Sequence, residues 1–440
     1  MEKMKILWIC NVPIPKIAAD MNVNAPNICG WITGFANSIE KIDSIELYIA
    51  FPQLGIKEIK KGTIGRIHYY AFSQPKLLGF LPVEDQVHES KYMREHLRTI
   101  ISQVMPDLLH IFGTEYPHSL VAVEEFNKPE NTVVNIQGLP SFYWMHFNNG
   151  IPYKELKRFT LSNIARGNLL QQAAKMKRRG MTEISIIKSV GHVIGRTDWD
   201  EACTKEINPK VQYHFCNESL RDSFYSGSWE YQNCEKHSIF MSQAATPIKG
   251  LHFMLRAMPE ILKNYPDAHL YVAGNDLTKT DSLYEKLKIS SFAKYIKRLI
   301  AEYGLEEKVT FTGSLTEQKM KERFLKSNVF VSPSTIENSP NSLGEAMLLG
   351  VPCVSSDVGG VKNLLKHEKE GYVYQTDASY MLAYYVKKMF DMEKNAEVIG
   401  ARAKEHATKT HDSEQNLEVL LKIYTVSYTH LRAHETVLDL

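Results

Sequence analysis

Little in this sequence points to a secreted or metal-stapled protein. The six cysteines, Cys10, Cys29, Cys203, Cys216, Cys234 and Cys353, are scattered and form no C-x-x-C pair, which argues against a zinc site and against a disulfide framework. No acidic pair with metal-ligand spacing stands in a suitable loop, so no metal and no cofactor is expected. There is no excess of one charge: 52 basic residues face 50 acidic ones. A chain built to coat nucleic acid would not balance in this way, and no nucleic-acid partner is expected. The apolar run Lys5–Cys10 near the N-terminus gives way at once to polar, turn-forming residues, too early for a signal peptide or a membrane span. A cytoplasmic protein is the expectation. No internal repeat is visible.

What is present is enough apolar material, 44% of 440 residues, to fill two cores. Short apolar runs alternate with helical periodicity, the signature of βαβ units and a parallel sheet. In the first half the strand candidates are 6–10, 45–50, 108–112, 132–136 and 192–194. Between them, Leu97, Ile100, Ile101 and Val104 have the spacing of a one-sided helix. The rhythm restarts at 238–242, 269–273, 308–311, 329–332 and 352–355. Between the halves, 219–236 is polar and aromatic without period and contains Ser226-Gly227-Ser228. The division expected is a first α/β domain over 1–218, a hinge over 219–236, and a second α/β domain over 237–404. In open parallel sheets ligands bind at the carboxyl ends of strands, so a site between the domains is the expected geometry.

The stretch from Val329 to Gly360, VFVSPSTIENSPNSLGEAMLLGVPCVSSDVGG, carries the densest signal. A β-branched run stops at Ser332-Pro333. Ser339 or Asn341 can cap the next helix with Pro340 in its first turn, and Gly350 stands where a left-handed stop belongs. Glu337 then lies in the loop and Glu345 inside the helix. The N–H groups of Asn341, Ser342 and Leu343 offer an anion site strengthened by the helix dipole, suited to a diphosphate. A second signal is Pro247-Ile248-Lys249-Gly250 after the first strand of the second half, where a fixed cation can stabilise a leaving phosphate.

Two glutamates separated by seven residues, followed by A-M-L-L-G-V-P-C-V-S-S-D-V-G-G, resemble the donor-binding motif of retaining glycosyltransferases of the family 4-like group, which have the GT-B fold: two Rossmann-like, doubly wound domains facing across a cleft. The resemblance implies that Glu345 holds the ribose of a nucleoside diphosphate sugar and that Glu337 contacts the sugar near the reacting carbon. It implies that backbone at Asn341, Ser342 and Leu343, with Gly359 and Gly360, holds the diphosphate, and that Lys249 neutralises it. The family commonly has an arginine five residues before that lysine, where this chain has Ala244. Gly274 and Gly313, each ending a strand, match donor-contact positions as well as simple turns. The activity implied is transfer of a sugar to an acceptor hydroxyl with retention, without metal, in cell-surface polysaccharide assembly.

In the first half the motifs are sparser. Asn27-Ile-Cys-Gly30-Trp31 resembles the family's glycine-bearing loop, with a helix expected over 32–42 and Gly30 close to diphosphate or acceptor. Glu115 and His118 follow a strand, His118 as a candidate acid-base group; His110, in mid-strand, reads as a core histidine. Gln137 stands where the family often has histidine and can only hydrogen-bond. Arg196 and Asp198 can line the cleft, or Asp198 can serve as a plain N-cap.

Between 154 and 179, eight basic residues face one acid. Interleaved Phe159, Leu161, Ile164, Leu169, Leu170 and Met176 make this a candidate surface for anionic lipid on the inner face of a membrane. The acceptor expected is a saccharide or lipid-linked saccharide. Residues 405–425 read as a final helix crossing back to the first domain. Residues 426–440 resemble translated adapter sequence and carry no fold expectation. Two other readings use the same residues: a sugar-nucleotide epimerase, and a non-catalytic nucleotide-sugar binding subunit.

Overall fold

A computed structural model of the chain describes residues 3–23, 30–74 and 91–438, without side chains at a few of these. The chain divides into two compact units. The first gathers 1–142, 175–219 and 412–440; the second gathers 143–174 and 220–411.

The first unit holds an eight-stranded sheet. Its strands are β1 (Met4–Ile9), β2 (Ile45–Leu54), β3 (Lys60–Ile64), β4 (Ile67–Gln74), β5 (Leu108–Phe112), β6 (Thr132–Asn135), β7 (His192–Gly195) and β8 (Gln212–Phe215). They lie in the order β3-β4-β2-β1-β5-β6-β7-β8, parallel except for β3, which pairs antiparallel with β4. The central strands β1 and β5 are almost wholly apolar and buried on both faces, as parallel strands covered by helices must be. The helix Ser413–Leu438 belongs to this unit and is fastened through a buried triad. Trp8 Nε1 donates to the Tyr424 hydroxyl at 3.0 Å, and that hydroxyl meets His110 Nδ1 at 2.7 Å. His110 is thus a core histidine, and burial pushes its pKa down to about 3.

The second unit holds a six-stranded parallel sheet of β9 (Glu235–Met241), β10 (His269–Val272), β11 (Val309–Phe311), β12 (Ser327–Ser332), β13 (Cys353–Asp357) and β14 (Tyr372–Gln375). The order β11-β10-β9-β12-β13-β14 is the 3-2-1-4-5-6 winding of a Rossmann sheet, with its reversal between β9 and β12. Both units are therefore Rossmann-like α/β folds.

Several local expectations change. Residues 143–174, expected with the first half, cluster with the second unit, whereas 175–219 stay with the first. The basic stretch 154–179, expected to face lipid, is thereby split, and its Leu169 is buried. The stretch expected as a hinge is tied to the second unit from Leu220 onward. There the buried Phe224 packs edge-on against Phe324, and Trp229 Nε1 donates to the Ser327 carbonyl at 2.7 Å. Asp198 does not cap its helix. The N-cap is Thr197, whose hydroxyl accepts from Asp200 N while the Asp200 carboxylate takes the Thr197 N–H in a capping box. Gly30 opens the helix Gly30–Ile39, earlier than read; residues 24–29 lie outside the described ones.

Candidate functional site

Reversal of winding between β9 and β12 opens a crevice at their carboxyl ends, and the second unit places Lys249, Glu337 and Glu345 around it. Lys249 ends a single 3-10 turn, Pro247–Lys249, which Gly250 closes in the left-handed region at φ +73°. That glycine is required: a Cβ on it would stand 1.8 Å from the Pro333 carbonyl oxygen. The close approach lets Thr335 N donate to the Ile248 carbonyl at 2.7 Å, so the lysine turn and the loop after β12 form one rigid piece.

On that piece, Lys249 Nζ donates to Glu337 Oε1 at 2.6 Å, and the Ser334 hydroxyl donates to the same oxygen at 2.8 Å. Glu337 is buried, whereas the lysine keeps partial access to solvent. Ser242, Gln243, Ser334 and Ser342 line a small pocket around the pair. The Gly359-Gly360 turn closes against the other end of Glu337. Gly360 N donates to the Glu337 carbonyl at 3.1 Å, and a Cβ on Gly359, at φ +49°, would stand 1.9 Å from that oxygen.

The helix Asn341–Leu348 begins without a side-chain cap. Its N-cap is Pro340, so neither Ser339 nor Asn341 has the expected role. Leu343 N is taken by the Pro340 carbonyl at 2.9 Å, which removes it from the expected anion site. The N–H groups of Asn341 and Ser342 have no acceptor among the described residues. Two donors at the positive end of a helix dipole remain for an anion. Gly344 lets the helix pack tightly, since a Cβ there would meet the His411 ring at 2.6 Å.

Glu345 is not a free carboxylate. Arg221 Nε donates to its Oε1 and Nη2 to its Oε2, each at 2.7 Å. Burial pushes the Glu345 pKa up and Arg221 opposes the shift. Arg221 lies inside the stretch read as hinge, and no motif marked it. Ala244 is buried and supplies no charge where the family commonly has arginine. Gly274 and Gly313, at the ends of β10 and β11, bond each other reciprocally at 3.0 and 3.1 Å, with φ of +111° and +75°.

In the first unit, the equivalent reversal lies between β1 and β5. His118, in the first turn of the helix Pro117–Phe126, meets Asn11 Oδ1 through Nε2 at 3.0 Å and stacks on Tyr116. It is buried, and burial lowers its pKa to about 3. Burial thus favours the neutral ring, which hydrogen-bonds to Asn11. Burial raises the pKa of the neighbouring Glu115, with Arg179 opposing. Arg196 does not project as a free charge: its Nη1 pairs with Glu218 Oε2 at 2.7 Å, both side chains buried. Gln137 Nε2 donates to Glu218 Oε1 at 2.7 Å. Glu218 thus organises Gln137 and Arg196, and the sequence reading missed it. Among the described residues no group of three or more His, Cys, Asp or Glu is placed to hold a metal ion.

With this geometry the chain resembles proteins of one kind. Residues 231–406 match the family model described as Glycosyl transferases group 1. This group 1 segment lies inside the second unit and contains Lys249, Glu337 and Glu345. An uncharacterized glycosyltransferase of Methanocaldococcus jannaschii is 32% identical over 144 residues, 32% of this chain and 33% of the relative. The match therefore spans about a third of that relative's length. Sucrose-phosphate synthase from Thermosynechococcus elongatus superposes with a TM-score of 0.69 at 15% identity, covering 97% of this chain and 100% of that one. Anabaena Alr3699/HepE in complex with UDP and glucose gives 0.63 at 14% identity, covering 96% and 99%. The fold is α/β and matches GT-B glycosyltransferase structures.

Proposed function

We propose that the protein is a glycosyltransferase that moves a sugar from a nucleoside diphosphate sugar to the hydroxyl of a saccharide or lipid-linked saccharide, with retention and without a metal ion. The observation that carries this reading is the joint placement of Lys249, Glu337 and the uncapped N-terminus at Asn341–Ser342 where the second sheet reverses its winding. A leaving diphosphate gains negative charge as the glycosidic bond breaks. The Lys249 ammonium has two donors left beyond the one given to Glu337, and the N–H groups of Asn341 and Ser342 add a fixed dipole. Glu337, held by Ser334 and Lys249 through one oxygen, keeps its other oxygen for a sugar hydroxyl. Each Glu345 oxygen accepts one bond from Arg221 and retains a lone pair for a ribose hydroxyl. The diphosphate itself takes the acceptor's proton on the face it leaves. The resemblance favours a role in cell-surface polysaccharide assembly on the cytoplasmic side.

A second reading, a nucleotide-sugar binding subunit without turnover, is favoured by one observation: Ala244 leaves Lys249 as the only cation of the expected pair, and Glu337 already neutralises it.

The deciding experiment is thermal stabilisation by UDP, GDP, ADP, CMP and dTDP and their sugars, for wild type, Lys249→Ala and Glu345→Ala. A ligand bound only by the folded state raises the melting point. A shift with one nucleotide, weakened by both substitutions, supports the reading; no shift with any nucleotide rejects it. Nucleotide release on adding acceptor then separates the enzyme from the binding subunit, and product analysis excludes the epimerase.

A further inference from the structure

One surface of the second unit reverses the usual rule that apolar side chains point inward. In the segment 159–164, Thr160 and Asn163 are buried while Phe159, Leu161 and Ile164 project outward. The polar pair is engaged inside: Thr160 Oγ1 donates to Asn163 Oδ1 at 2.8 Å, and Asn163 Nδ2 donates to the Arg158 carbonyl at 3.1 Å. The segment is anchored by Glu155, wholly buried, which Arg158 and Arg298 grip at 2.8 and 2.5 Å.

A second piece lies beside it. The Ser162 hydroxyl donates at 3.1 Å to the carbonyl of Ile289, the residue that ends the helix Leu283–Lys288. A complete Ser282–Glu285 capping box holds that helix, yet none of its residues is buried. It displays Leu283, Tyr284 and Leu287. The six outward apolar side chains of the two pieces are between 47% and 77% exposed. Fixing large apolar groups in water on two hydrogen-bonded supports does nothing for the core, which marks an interaction surface.

Charge selects the occupant. Lys154 and Lys157 flank the first piece, and Lys286 and Lys288 lie on the second. Of the acids nearby, Glu155 is neutralised by two arginines, Glu285 is held in the capping box, and Asp281 faces Lys279 at 3.7 Å. We infer that residues 153–164 and the helix Leu283–Lys288 together form a docking surface for an anionic lipid bilayer, apolar side chains entering the interface and lysines reaching the headgroups. Basic residues near such a surface are drawn to its negative potential, and the apolar groups add burial. The surface is not the continuous stretch 154–179 that the sequence suggests, because half of its occupants come from beyond residue 280. The inference does not depend on sugar transfer.

The test is cosedimentation of the full chain with phosphatidylcholine vesicles with and without phosphatidylglycerol, at low and high salt and without nucleotide. Expected are binding to the anionic vesicles alone, weakened by salt, and a loss of about tenfold in Leu161→Glu/Ile164→Glu and equally in Leu283→Glu/Leu287→Glu. An unchanged melting point shows that both variants fold. Wild type that ignores anionic vesicles overturns the inference, and so does a loss confined to one pair. Sedimentation velocity adds a further check: a wild-type dimer broken by either pair would assign the patch to a second copy and overturn it too.

Discussion

Arg221 holds Glu345 by both oxygens, two parallel bonds of 2.7 Å to a carboxylate that has almost no contact with water. A planar fork of this kind fixes the direction in which the remaining lone pairs point, and an ammonium cannot reproduce it. Removing one partner leaves a buried charge uncompensated. Arg221→Met is expected to lower the free energy of unfolding by about 3 kcal/mol, less than a fully buried pair would because the arginine is partly exposed. Arg221→Met/Glu345→Leu should recover most of that loss. Urea titration of the four proteins in the cycle gives the coupling; additive single losses would rule out the pair.

On the proposed reading, Lys249→Met removes the cation that faces the leaving group. By analogy with the loss of one oxyanion donor, kcat should fall about 100-fold or more with little change in the acceptor KM. Steady-state kinetics with the nucleotide identified by melting shifts checks this, and an equal rise in KM with kcat intact would assign Lys249 to ground-state binding instead.

Gly250→Ala tests the support beneath the same lysine. A methyl group cannot stand 1.8 Å from the Pro333 oxygen, so the turn must move and take Lys249 with it. The expected result is a lower melting point and loss of the nucleotide-induced shift, measured in one thermal series. A fully retained shift would show that the turn is not what places the lysine.

The first unit carries a pH signature. Glu183 is buried and receives hydrogen bonds from Thr114 Oγ1 at 2.6 Å, from Ser141 N at 3.0 Å and from the Ser141 hydroxyl. Burial outweighs those donors and pushes its pKa from 4.5 to about 8, with the hydroxyls free to turn and accept its proton. A folded-state pKa above the unfolded one means that the folded state binds more protons between those values. The stability from this group is therefore full below pH 4.5 and is lost as pH rises toward 8. Glu183→Gln should flatten that fall in melting temperature between pH 5 and 8; an unaltered slope would show that Glu183 is ionised throughout.

Tyr424→Phe should cost about 1–3 kcal/mol, because both Trp8 Nε1 and His110 Nδ1 lose their partner at a buried site. Equilibrium denaturation reads the change, and a loss below half a kilocalorie would show that the triad is not a fastening.

The buried strands were legible because a parallel strand covered on both faces must be continuously apolar. β1 and β5 announce themselves in this way, as do the apolar runs inside β9 and β12. β3, β4, β8 and β14 went unread; the exposed Lys60 and Lys61 of β3, and Gln212 and Phe215 of β8, reflect sheet edges wet on at least one side. The candidate site around Glu337 was legible for a related reason, since strand, turn and helix start are encoded within a short stretch from Val329 to Gly350. Arg221 and Glu218 were not, because each acts on residues far away in sequence: 124 positions to Glu345, and 22 to Arg196 and 81 to Gln137. Nothing local distinguishes such a residue from a solvated charge. The outward-facing Phe159, Leu161 and Ile164 were expected on one surface running over 154–179; the structure puts them in a run of short turns that ends at Gly167, φ +78°, and residues from Leu169 onward enter the separate helix Leu169–Lys188.

The division of the chain also sets an order of events during synthesis. All of the second unit has been made once His411 emerges, whereas the first still lacks the helix that carries Tyr424. Until residue 424 arrives, Trp8 and His110 have no Tyr424 hydroxyl to bond, so the first sheet gains this fastening only after every strand of both sheets has been made.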